Sequence, residues 1–189
     1  MVAARQLEWS GDSTAMAVSA TLPRTDYPES LAIDAPTSYP FPKTRYRLMP
    51  WSQAVSRLEQ AANYWLATTR PDGRPHVTPI WGVWLDEAFY FQGSPTAHWA
   101  ANIAANPSIA IHSESGDDVV ILEGEAIQVV TDSRLGDRLI AAWQTKYDPL
   151  PPEIMPQPAT RGLFRLRPRA ARAWRAGLQD GARWHFAAH

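Results

Sequence analysis

Cysteine is absent from this 189-residue chain, and with it every disulfide framework, thiolate nucleophile and thiolate metal site. Charge is nearly balanced: 18 Lys and Arg face 19 Asp and Glu, a net of −1. Nucleic acid or an anionic membrane surface therefore finds no basic field to bind. No apolar run approaches the ~18 residues that a membrane-spanning helix takes, and the N-terminus lacks a basic stretch followed by an apolar one. Also missing are a glycine-rich phosphate loop, a His-Glu-x-x-His pair and a Gly-x-Ser-x-Gly elbow. The five His and the carboxylates fall at no metal-ligand spacing, so no metal is expected. These absences leave an expectation of a soluble cytoplasmic protein with no nucleic-acid and no membrane partner.

What is present is an ordinary apolar fraction, 45%, together with 17 prolines and nine tryptophans. Five of the prolines fall between Pro23 and Pro42, among Ser, Thr and Asp and without hydrophobic periodicity. Residues 1–47 are expected to form an extended arm, and Trp9, Tyr27, Tyr39 and Phe41 favour docking on a neighbouring surface over disorder. Residues 48–189 are expected to form one domain.

The organising stretch runs from Tyr64 to Val130. Runs rich in Val, Ile, Thr and aromatics are cut by turn residues at Pro71-Asp72-Gly73, Asp86-Glu87 and Ser115-Gly116, the pattern of successive antiparallel hairpins. Strands are expected at 64–69, 75–85, 88–92, 108–112 and 118–130. Pro75 and Pro79 cannot donate to a ladder, so the second strand must be bulged or lie on an edge. A helix starting at Pro50 or Trp51 and capped by Ser52 precedes them. Ser94-Pro95 reads as the hydroxyl cap and first residue of a second helix that Asn106-Pro107 stops. Thr131-Asp132-Ser133 caps a third, whose Leu135, Leu139, Ile140 and Trp143 stripe packs on the sheet. Five prolines between Pro149 and Pro158 mark a loop, and a strand pair, 162–167 and 170–175, leads to the tail. A meander with one spliced helix predicts a mainly β, α+β fold: a small barrel of about six to eight antiparallel strands with flanking helices.

The candidate acids, Asp117-Asp118 and Glu123/Glu125, read as a solvated turn and the outer face of a strand rather than a hydrolytic pair. Six arginines between Arg161 and Arg175 form a solvated strand surface. The tryptophans say more. So many cannot all be enclosed in one small core, and the type is favoured where one ring face packs and the other meets a flat ligand or a partner chain. An aromatic subunit interface explains them equally well, and the two are compatible.

Four segments in order carry a family resemblance: Tyr64-Trp65-Leu66-Ala67-Thr68; Pro71 through Trp84, with Arg74-Pro75-His76-Val77-Thr78-Pro79-Ile80-Trp81 at its centre; Asn102-Ile103-Ala104-Ala105-Asn106-Pro107; and Glu123-Gly124-Glu125-Ala126. Over residues 50–186 the chain resembles the pyridoxamine 5'-phosphate oxidase-like split-barrel flavoproteins and their deazaflavin-dependent reductase relatives. The resemblance implies a homodimer with FMN or a deazaflavin in each groove between subunits. It also implies a flavin- or deazaflavin-dependent oxidoreductase that moves hydride to or from a small organic substrate. His76, Val77, Thr78, Pro79, Ile80 and Trp81 would run along the ring and ribityl chain. Gly93, Ser94, His98 and Trp99 would stand at the phosphate end, with Trp174 and Arg183 completing the pocket from the tail. No catalytic acid or base is indicated.

One departure bears on the cofactor. The family's phosphate-gripping Arg-Lys pair falls on His98-Trp99, and a frequent following Arg falls on Ala101. Histidine as a residue type carries only part of a charge near neutral pH. Charge-assisted contacts contribute about 1.5–3 kcal/mol each, so two losses weaken binding by about two to four decades. The alternative expectation is a non-catalytic ligand-binding or sensing barrel that has lost tight cofactor binding.

Overall fold

Antiparallel pairing dominates the computed structural model, which describes residues 28–33, 47–147, 149, 162–175 and 180–187. Most of the expected arm and of the proline-rich loop after Pro149 lies outside these residues. The elements in order are β1 (Leu31–Ala32), α1 (Trp51–Gln60), β2 (Tyr64–Thr69), β3 (Pro75–Ile80), β4 (Gly82–Leu85), β5 (Ala88–Gly93), α2 (His98–Ala105), β6 (Ser108–Ser113), β7 (Asp118–Val129), α3 (Ser133–Tyr147), β8 (Gly162–Arg175) and β9 (Ala182–His185). The sheet runs β1-β9-β8-β7-β6-β2-β3, with β5 joined to β8 and β4 to β5. This is the mainly β, α+β split barrel that the resemblance implies, with nine strands among the described residues where about six to eight were expected.

The long strand β8 closes the barrel. It pairs with β7 along its whole length, with β5 through Gly162–Leu166 and with β9 through Ala170–Ala173. Two separate strands were expected here. The chain instead continues through a bulge, where the register shifts between Glu123 and Gly124 opposite Pro168 and Ala170. Gly124 allows this close approach, since a Cβ there would lie 2.5 Å from the Arg167 carbonyl oxygen. The β4–β5 hairpin turns through Asp86 and Glu87, both at positive φ, 50° and 58°, which is the two-residue turn matching strand twist.

The expected single strand 75–85 is divided. β3 pairs with β2 and β4 with β5, and Trp81 lies at the break. Side-chain chemistry accounts for it. The Tyr147 hydroxyl donates to the Gly82 carbonyl at 3.0 Å and accepts from its N–H at 3.1 Å, holding the backbone where the strand would continue. Gly82 itself presses against Phe89, whose ring would lie 2.4 Å from an added Cβ.

Inside the barrel Tyr64, Leu66, Phe89, Phe91, Ile111, Leu122, Leu166 and Trp184 are buried together. α1 plugs one end through Ala54 and Leu58, with Trp51 edge-on to Trp184 at 5.1 Å. Its N-cap is Pro50 without a side-chain bond, not Ser52. α3 packs Leu139 and Trp143 against Val83, Tyr90 and Leu163 in a second cluster. Asp132 caps α3, accepting from the Leu135 N–H at 2.8 Å. From the arm, residues 28–33 dock on the chain's own β9: Leu31 pairs with Arg183, and Ser30 accepts from Trp184 Nε1 at 2.9 Å.

Candidate functional site

β3 is the strand on which the expected site rests, and its geometry follows from its prolines. Opposite β2, Pro75 faces Thr69, Val77 faces Ala67 and Pro79 faces Trp65. Prolines have no N–H to give, so these are the non-bonded pairs, while His76, Thr78 and Ile80 exchange hydrogen bonds with β2. The polar groups of Pro75, Val77 and Pro79 therefore point to the free edge of β3, which pairs with no other described strand. Only Val77 brings an N–H to that edge between residues 75 and 79. Its side chain is 54% exposed, beside Trp65 at 39% and Trp81 at 37%. These are large apolar surfaces left in water along one edge of a single subunit.

The even-numbered side chains of β3 turn the other way. Ile80 is buried, and His76 lies beside Thr68 on β2, with Nδ1 3.4 Å from Thr68 Oγ1. Asn102 of α2 donates Nδ2–H to the same Thr68 oxygen at 2.9 Å, and Thr68 and Asn102 are each only 4% exposed. This chain ties α2 to the strand beneath. Thr68 and Asn102 are the site residues that sequence reasoning missed. The register of the Pro71-Asp72-Gly73 hairpin, which sets Thr68 against His76, is the signal that finds one of them.

At the other expected end, Ser94-Pro95 does not begin the helix. Residues 94–97 form a turn closed by Ala97 N–H to the Ser94 carbonyl at 3.0 Å. Ser94 Oγ and Thr96 Oγ1 bond at 2.8 Å, and α2 starts at His98 with Ala97 as its N-cap. Thr96 competes for the hydroxyl that would have capped the helix. His98 is exposed. Trp99 is 8% exposed, packed edge-on to Phe164 at 5.0 Å and 5.6 Å from Phe91. Trp99 is thus a core ring rather than a surface ligand, and Gly93 is its seat: a Cβ there would lie 2.5 Å from the indole.

Trp174 and Arg183 stand elsewhere. One register row crosses the outer face from Pro79 through Trp65, His112, Ile121 and Arg172 to Arg183. Five strand spacings of about 4.8 Å give about 24 Å of barrel wall between its ends. Trp174 shares this outer face with Arg172, since Ala171 and Ala173, which alternate with them, point inward and are fully buried. Within one subunit the β3 residues and the tail residues stand on different strands of the curved wall. The candidate acids of β7 are held by Arg172–Glu123 and Arg169–Glu125 ion pairs, as a solvated outer face implies.

Among the described residues, an antiparallel barrel split at one strand junction and flanked by three helices leaves an apolar open edge. The sequence pattern of the pyridoxamine 5'-phosphate oxidase family matches residues 51–175. The chain belongs to that family. Among solved structures it is similar to an F420 reductase, at 29% identity over 61% of this chain and 93% of the other, with a TM-score of 0.50. It is also similar to HutZ, the heme storage protein from Vibrio cholerae, at 25% identity over 65% and 90%, TM-score 0.51. A conserved hypothetical protein from Mycobacterium tuberculosis, Rv2991, shares the fold at 24% identity over 70% and 90%, TM-score 0.57. No curated protein matches the chain.

Proposed function

We propose that this protein is a flavin- or deazaflavin-dependent oxidoreductase that works as a homodimer on a small organic substrate. One observation carries the reading: the open edge of β3 presents the Val77 N–H between two prolines, with Trp65, Val77 and Trp81 exposed around it. A flat, mostly apolar ring with acceptor atoms on its rim suits that edge, the amide fixing its orientation and the side chains covering its faces. The ring end of such a cofactor fits these residues. The phosphate end is supported by the Ser94 and Thr96 hydroxyls, exposed His98 and the His98 and Trp99 N–H groups that open α2, in place of the family's Arg-Lys pair.

The bound ring supplies two-electron hydride chemistry, and the protein contributes orientation and exclusion of water. Val77 and Pro79 position the ring, while Thr68 and Asn102 hold His76 at the mouth of the site. Trp174 and Arg183 complete the pocket from a second copy, since they lie on β8 and β9, away from the β3 edge in strand order.

The alternative, a ligand-binding barrel without redox turnover, is favoured by one observation. Trp99 has been drawn into the core where the family places a phosphate-gripping lysine. Titration of the purified protein with FMN, a deazaflavin and haem, followed by tryptophan quenching and the visible spectrum, separates the readings. Quenching by FMN or deazaflavin and reduction of the bound ring by a nicotinamide donor are expected. Binding of haem alone selects the alternative, and quenching by none refutes the cofactor site. Val77→Asp, tested by light scattering, is expected to shift dimer to monomer and to abolish ring binding together. A dimer unchanged by it would place the interface elsewhere.

A further inference from the structure

Arginine outnumbers lysine sixteen to two in this chain, the lysines being Lys43 and Lys146. Lys146 lies near the end of α3 and is partly buried. Its ammonium donates to the Leu58 carbonyl at 3.2 Å and to the Tyr64 hydroxyl, which itself donates to Leu58. It sits 4.6 Å from the centre of the Tyr64 ring and 5.4 Å from that of Tyr147. Glu59 of α1 and Glu114 of the loop after β6 are its charge neighbours, yet neither closes an ion pair with it among the described residues. A groove of about 500 Å³ between α1, β4 and α3 reaches this amine, walled by Val83, Trp84 and Ala142, with Glu59 on its rim.

The groups around the amine favour its neutral form. Burial pulls the Lys146 ammonium down to about 8, against the smaller opposing fields of Glu59 and Glu114. Burial also raises the Glu59 carboxyl, with Lys146 offsetting part of the rise. The phenols stay protonated: burial pushes Tyr147 up to about 12 and Tyr64 higher still. At pH 7.5 about a quarter of Lys146 is then free amine, against about one part in a thousand for an ordinary lysine. The two hydrogens of that amine are held by Leu58 and Tyr64, which leaves the lone pair for the groove. An arginine could not serve, since it does not deprotonate.

We propose that Lys146 is a covalent acceptor for uncharged apolar aldehydes, which enter the α1–β4–α3 groove and are held as an imine. The Nζ lone pair attacks the carbonyl carbon, and the C=O π pair moves to oxygen, which takes a proton from water. Nζ releases a proton to water, and loss of the hydroxyl as water leaves C=N, with no change of oxidation state. The apolar walls select an uncharged body, and Glu59 and Glu114 repel an anionic one.

Benzaldehyde and cyanoborohydride, added to the full-length protein and followed by peptide mass mapping, test this. One benzyl group is expected on Lys146, placed at least about tenfold faster than on Lys43 at pH 7.5, with a rate rising as pH passes about 8. Glyoxylate, an anionic aldehyde, is expected to label Lys146 more slowly than benzaldehyde does. Glu59→Gln removes a field that holds the proton on the amine, so the rise in labelling at Lys146 should come at lower pH, with Lys43 unchanged. Lys146→Arg should abolish labelling there with the far-UV spectrum intact. Labelling of Lys43 as fast as Lys146, or equal rates with glyoxylate, overturns the proposal. The wild-type comparison decides the matter even where a variant folds poorly.

Discussion

The Asn102–Thr68–His76 chain is the part of the site whose energetics can be isolated most cleanly. Thr68→Val keeps the shape of the side chain and removes the hydroxyl. It thereby leaves an Asn102 N–H without its 2.9 Å acceptor at a position only 4% exposed. A buried donor stranded in this way costs about 1–3 kcal/mol. Asn102→Leu removes the donor instead, and Thr68 keeps His76 as a neighbour at 3.4 Å, so its cost falls at about 1 kcal/mol. The double variant has neither group to strand, and its loss should be smaller than the sum of the singles by about 1 kcal/mol. Urea unfolding followed by tryptophan fluorescence reads all four proteins. With a slope of about 2 kcal/mol/M, Thr68→Val should lower the midpoint by about 0.5–1.5 M at unchanged slope. Strict additivity, within about 0.3–0.5 kcal/mol, would show that the two side chains do not share a hydrogen bond. If Thr68 also positions His76, the same substitution weakens FMN or deazaflavin affinity while Asp180→Ala does not.

Gly93→Ala forces a methyl to within 2.5 Å of the Trp99 ring, and overpacking of this kind costs about 1–3 kcal/mol. Thermal unfolding should start several degrees lower, and an unchanged midpoint would mean that the indole is free to move. Asp180 binds the Arg175 backbone N–H at 2.9 Å and its Nε at 2.8 Å, with Arg57 3.8 Å away. Burial pushes this carboxyl up, but the Arg175 bonds and the Arg175 and Arg57 charges outweigh it and hold it below the usual range. A depressed carboxylate contributes stability above its unfolded value of about 4 and loses it as pH falls below that. Asp180→Ala should therefore cost about 1–3 kcal/mol at pH 7, mostly through the Arg175 N–H left without its acceptor, and the gap to wild type should narrow as unfolding is repeated below pH 4. A constant gap across that range refutes the ionic account.

Much of the fold is legible because local chemistry and tertiary demand agree. Asp86-Glu87 is a turn by residue type and adopts the positive φ that a two-residue hairpin takes. Asp132 caps α3 as its position predicts, and the Leu139–Trp143 stripe is buried. The tryptophans divide as their number requires: Trp51, Trp99, Trp143 and Trp184 are enclosed, while Trp65 and Trp81 stay substantially exposed. The misses have non-local causes. Nothing between residues 75 and 85 foretells that a phenol from α3 will take both polar groups of Gly82 and break the strand. Continuity of β8 depends on a bulge set by the opposite strand.

The site is less legible for a related reason: residue type gives chemistry, and only packing gives direction. His76 through Trp81 are consecutive in the chain, yet alternation sends Val77 and Pro79 outward and His76 and Ile80 toward the barrel. Trp99 reads as a lost cation only while its side chain is imagined at the surface. Once it is enclosed by Phe91, Phe164 and Gly93, a lysine there would have to leave the core to reach a phosphate, emptying a space that an indole now fills. The substitution is therefore coupled to packing, and restoring Trp99→Lys alone trades several kcal/mol of core for one charge contact. A cation that compensates for its loss must come from a position whose side chain already points outward. Arg183 on β9 is one, and the proposed dimer would bring it to the β3 edge of the partner subunit.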